Sequence, residues 1–127
     1  MAAPNIVNVT SIVPHTVTLT PSDTSRNALV TAPATGSCHQ INQIVVANID
    51  GANAVDCTVE TRLADGTTYR AIASTISVPA DASLIVSDKT TMFYLLDTSV
   101  TGETSTIYVT SGTASKLTFT CSYETIT

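Results

Sequence analysis

Apolar and polar residues alternate with a period of two along much of the chain. After Ser115, the residues Leu117, Phe119, Cys121 and Tyr123 alternate with Lys116, Thr118, Thr120, Ser122 and Glu124. That is the pattern of a strand with one buried and one wet face. Val55, Cys57 and Val59 alternate in the same way with Asp56, Thr58 and Glu60, and Val17 and Leu19 with Thr16, Thr18 and Thr20. The stretch 41–49 is longer and more continuously apolar, which predicts a central strand covered on both faces. β-Branched side chains fill these segments and suit a pleated sheet better than a helix.

Turn residues fall between the alternating segments. Pro14, Pro21 and Pro33 punctuate the first third, and Asp50-Gly51-Ala52-Asn53 separates two strands. Asp65-Gly66 is a hairpin signal, because glycine supplies the positive φ that tight turns require. Pro79-Ala80-Asp81, Thr101-Gly102 and Ser111-Gly112 mark further reversals. Nine or ten short strands, with no stretch of helical period, predict an all-β fold: one antiparallel β-sandwich or jelly-roll-like domain over residues 1–127. Residues 1–12 have strand composition and no charge. They are read either as an edge strand of the sandwich or as an N-terminal arm that pairs with a neighbouring subunit's sheet.

Composition narrows the function. The chain has 127 residues, 43% of them hydrophobic, enough for one packed core. Charged residues make up only 12%, about half the usual quarter, and threonine alone supplies roughly a fifth of the chain. A surface of hydroxyls in place of lysine and glutamate suits close contact with neighbouring proteins, or life outside the cytoplasm. The net charge is −5, and Arg26, Arg62, Arg70, Lys89 and Lys116 are dispersed along the sequence. Nucleic acid and anionic membrane are therefore not expected partners. The opening residues lack the basic and apolar regions of a secretory signal, so synthesis in a cytoplasm is expected.

Candidate chemistry is sparse. Cys38, Cys57 and Cys121 are odd in number and widely spaced, without a metal or redox spacing. Cys57 and Cys121 fall on inward faces and read as buried thiols, with a Cys57–Cys121 disulfide left open as the alternative. His39 adjoins Cys38, but neighbours on a strand point to opposite faces and cannot form a nucleophile–base pair. His15 stands at the start of a strand. Most aspartates sit in turns, where they bond the local backbone. The segment Asp50 to Asp56 lacks the ligand alternation and closing glutamate of a calcium loop. With no tryptophan and 5% aromatic residues, neither a glycosidase groove nor a sugar platform is expected. No residue is nominated as catalytic, cofactor-binding or metal-ligating. The chain is expected to bind or hold something and not to be an enzyme.

Several segments together resemble small virion structural proteins of tailed phages, those of cyanobacteria in particular. They are residues 1–9, the run Ile41-Asn42-Gln43-Ile44-Val45-Val46 through Gly51, Ile76-Ser77-Val78-Pro79-Ala80 through Leu84, Tyr94-Leu95-Leu96-Asp97, and Cys121-Ser122-Tyr123-Glu124-Thr125-Ile126. After Leu96 the Asp97-Thr98-Ser99 turn departs from the Glu-Gly-Asp turn of that pattern. The resemblance implies a virion component made in the host cytoplasm: a capsid decoration or cement protein, dimeric or trimeric, bound to the major capsid protein. It implies as its alternative a neck, tail or fibre-associated protein. A host-surface or carbohydrate-binding module is the reading from another class.

Overall fold

The computed structural model describes residues 9–127. Nine strands follow in chain order: β1 (Ile12–Leu19), β2 (Asn27–Val30), β3 (Cys38–Asn48), β4 (Val55–Leu63), β5 (Tyr69–Val78), β6 (Ser83–Ser87), β7 (Phe93–Leu96), β8 (Thr104–Ser111) and β9 (Leu117–Ile126). They form two antiparallel sheets. One runs β1-β9-β3-β6, with β7 also paired to β3, and the other runs β2-β8-β4-β5. Within the first sheet β6 and β7 share one position along β3. β7 pairs its start at Cys38 to Ile41, and β6 pairs its later half at Ile44 to Ala47. A 3-10 turn at Lys89–Thr91, capped by Asp88, joins the two.

The pairings are nested. β4 pairs β5, β3 pairs β6 and β7, β2 pairs β8, and β1 pairs β9. The chain is thus one long hairpin folded at Asp65-Gly66 and rolled up, so that β9 also reaches β3 and β8 also reaches β4. This is the jelly-roll arrangement of a β-sandwich, as the alternation predicts.

Inward side chains of both layers make one core cluster. Ile41, Ile44, Val46, Leu95, Leu117, Phe119 and Cys121 come from the first sheet, and Val30, Val55, Cys57, Val59, Val78, Ile107 and Val109 from the second. Phe119 is fully buried, worth about 2–3 kcal/mol of hydrophobic stabilisation by itself.

Two local expectations are corrected. The strand read over 41–49 begins at Cys38, and it is not covered on both faces. A register shift between Ile41 and Gln43 resets the alternation, so Ile44 and Val46 face the core while Gln43 is exposed and Val45 and Ala47 are half-buried on the outside. Pro14 does not break a strand but lies inside β1, opposite Glu124. β1 is an edge strand, where the missing N–H can face solvent. The expectation of a strand or arm over residues 1–12 falls largely outside the described residues. Val9 to Ser11 are not strand, and β1 begins at Ile12. Thr10 and Ser11 are tied to the end of β9, with their N–H groups donating to the Thr127 carbonyl at 2.7 and 3.3 Å.

Candidate functional site

The polar side chains noted in the sequence serve mainly to hold turns. Asp65 accepts from the Thr67 and Thr68 N–H groups at 2.9 Å each and from the Thr68 hydroxyl, closing the β4–β5 hairpin. Those bonds, the Thr68 hydroxyl first, hold its carboxyl down at about 2. Asp50 accepts from the Ala52 and Asn53 N–H groups at 2.9 and 3.2 Å, so the segment weighed as a calcium loop uses its first carboxylate on its own backbone. Asp97, almost fully buried, accepts from the Ser99 hydroxyl and N–H and from Gly36 N–H, joining two loops. Asn48 was not singled out in the sequence. It is buried and donates through Nδ2 to the carbonyls of Asn53, Val78 and Pro79 at 2.9, 2.9 and 3.2 Å.

The three cysteines are free thiols, so the Cys57–Cys121 disulfide is not formed. Burial pushes the Cys121 thiol up to about 12 and raises Cys57 and Cys38 as well. Cys38 and His39 diverge as strand neighbours must. His39 turns toward Tyr123, with ring centroids 4.8 Å apart, and its Nδ1 lies 3.0 Å from the Thr125 hydroxyl. His15 stacks on the other side of Tyr123 at 4.9 Å. Burial, His15 and a hydrogen bond to the Thr31 carbonyl act on His39, and the first two prevail and lower its pKa. Cys38 instead lines an apolar groove of about 680 Å³ with Ile12, Tyr94, Leu96 and Ile126, bordered by Glu103. Among the described residues no group of three or more His, Cys, Asp or Glu is placed to hold a metal ion.

Sequence reading missed the most organised surface feature. On the outer side of the second sheet, the Arg26 guanidinium donates to both oxygens of Glu60 at 2.8 and 3.2 Å and lies 3.9 Å over the Tyr69 ring. Tyr69 meets Tyr108 edge to face at 5.4 Å, and Arg62 sits 4.9 Å over Tyr108. Arg62 Nε is buried without a hydrogen-bond partner. Arg70, exposed beside Tyr69, donates only to the Tyr69 carbonyl, at 3.2 Å. Arg26 and Arg62, distant in sequence, therefore meet on one face, whereas Arg70 pairs in register with the inward Thr61 and lies on the other side of its strand.

The sequence matches no family model and no curated protein. Among solved structures it is similar to a chain of the Bacillus endospore appendages, which form disulfide-linked pili. The two are 15% identical with a TM-score of 0.53, over 92% of this chain and 88% of that one. The likeness is one of fold. The chain also overlays part of infectious bursal disease virus VP2, 13% identical with a TM-score of 0.41, over 93% of this chain and 32% of that one. It thus spans about a third of the VP2 chain.

Proposed function

We propose that this protein is a structural component of a virus particle, and within it a capsid decoration or cement protein that binds the major capsid shell of a tailed phage. The observation that carries the proposal is the character of the surface. Ile12, Val13, Ile49, Ile72, Ile76, Ile85, Met92 and Tyr94 are all exposed on a 13.2 kDa domain with 12% charged residues. Single exposed apolar side chains are ordinary on a free domain, but this number of them beside so few charges suits a lattice of repeated contacts that covers them. The turn-bound carboxylates and buried thiols tie the loops and fill the core, which suits a structural role. The resemblance to virion proteins of tailed phages supplies the choice of partner. Small interfaces repeated over a shell add up by multivalency.

The test is co-sedimentation of the purified protein with capsids that lack it. Saturable binding at hundreds of copies per shell is the expected result. Absence of binding would retire the shell role and leave the neck, tail or fibre, where a dozen or fewer copies per virion are expected.

A further inference from the structure

We propose that the outer face of the first sheet docks against the same face of a second copy of this chain, in a two-fold dimer packed sheet on sheet. The inference goes beyond the shell reading, because it concerns contact between copies.

The face follows from alternation and register. On β9, Leu117, Phe119 and Cys121 enter the core, so the side chains between and beyond them point outward. The strand pairings line those outward residues up with their neighbours in rows across the sheet. At one end Ile12, Ile126, Cys38 and Leu96 form an apolar row, which floors the groove of about 680 Å³. Glu124, Gln40 and Tyr94 stand in the second row, and Ser122 and Gln43 in the third. Beside the third row the β6–β7 turn leaves a hollow of about 480 Å³. Thr18, Thr120, Val45 and Ile85 make the fourth row.

Charge favours this face for a contact between copies. The chain carries −5, so like surfaces repel wherever carboxylates are exposed. Of the residues in these rows only Glu124 is charged. At the margins Asp88 and Lys89 offset each other beside the third row, and Glu103 borders the groove. The outer side of the second sheet, by contrast, holds Arg26, Asp56, Glu60 and Arg62. The area also suffices. β9 has ten residues, about 33 Å at a rise of about 3.3 Å, and four strand positions span about 19 Å. The face therefore measures about 600 Å², and two copies bury about 1,200 Å², the lower bound of a stable interface.

The rows are self-complementary. A two-fold axis across the strands, between the second and third rows, sets the first row of one copy on the fourth row of the other. Cys38 and Leu96 then meet Val45 and Ile85, apolar on apolar. Ile85, 58% exposed, enters the groove, and Tyr94, 43% exposed, faces the hollow beside the β6–β7 turn. Glu124 comes opposite the Ser122 hydroxyl, and its copy lies a row away, so the one charge of the rows never meets itself. Such a contact is isologous and closes at two copies.

Sedimentation velocity on the full chain tests this. Wild type is expected to be a dimer with a micromolar Kd that persists in about 1 M salt, where the Debye length is roughly 3 Å, because the contact is apolar. Ile85→Glu and Tyr94→Glu, each at an exposed position, are separately expected to weaken dimerisation at least tenfold without lowering the melting temperature. Ser77→Glu, exposed on the second sheet opposite Asp56, is expected to leave it unchanged. A wild type that stays monomeric at millimolar concentration would overturn the proposal. So would growth beyond a dimer, dimers dissolved by salt, or Ile85→Glu and Tyr94→Glu proteins that pair as wild type does. A monomer whose Ile85→Glu variant loses shell binding would give the face to the shell, retiring this inference and keeping the shell role. A dimer of the expected behaviour that never binds shells would do the opposite.

Discussion

At the scale of single residues, polar side chains in this protein act as fasteners between loops. Asn48 is the clearest case, because one amide reaches three carbonyls on two different loops while its oxygen accepts the Asp50 N–H at 2.9 Å. Without the amide the buried Val78 carbonyl loses this donor. Asn48→Ala is expected to cost about 2–3 kcal/mol, since each unsatisfied buried group carries a penalty of about 1–3 kcal/mol. Urea unfolding monitored by tyrosine fluorescence measures it, and a loss below about 0.5 kcal/mol would show that water replaces the amide. Gly112 fills a different need. A Cβ there would lie 3.1 Å from the Asp56 carbonyl oxygen, which the Gly112 N–H already binds at 2.8 Å. The close approach of two backbones explains the glycine.

At the scale of elements, β9 carries the first sheet, pairing along nearly its whole length with β1 on one side and β3 on the other. Its largest inward side chain, Phe119, touches both layers of the core through the cluster it joins. Phe119→Ala is expected to cost about 3–5 kcal/mol, read as a fall in the denaturant midpoint with an unchanged slope. Strands of this kind were legible beforehand. β4 and β9 announce themselves by strict alternation, since each has one face in the core and one in solvent. β3 was only half legible: the outward Val45 and Ala47 are as apolar as the inward Ile44 and Val46, and nothing local marks the bulge that separates the two sets. The short β6 and β7 carry too few residues to show a period. The arginine–tyrosine face could not be read at all. Arg26, Glu60, Arg62, Tyr69 and Tyr108 meet only because β8 and β4 lie between β2 and β5, and strand order is not written in any segment.

At the scale of the whole molecule, stability depends on pH in two steps of opposite origin. His39 has a lowered pKa, so the fold favours its neutral ring. Its contribution is complete above the ordinary histidine value of about 6.5 and is lost as pH falls from there toward the folded pKa. Its neighbours His15, Tyr123, Thr125 and Thr31 supply no carboxylate to offset the charge. The turn carboxylates Asp23, Asp50, Asp65, Asp88 and Asp97 are all depressed. Their contribution holds above about pH 4 and is lost as pH falls toward about 2, where Asp65 takes its proton. Melting temperature plotted against pH is expected to fall in both windows, and His39→Gln should flatten the upper one alone. A single fall confined to strong acid would show that His39 titrates equally in both states. The position of β9 has one more consequence, in the order of synthesis. Of the nine strands it is made last, yet it lies between the first and the third. Until β9 is made, β1 has no neighbour in its sheet and β3 lacks the one on that side, so the backbone edges of both wait unpaired for this ten-residue strand. Assembly of this sheet therefore requires contacts of long sequence separation, slow by topology, and β1 joins it only through β9.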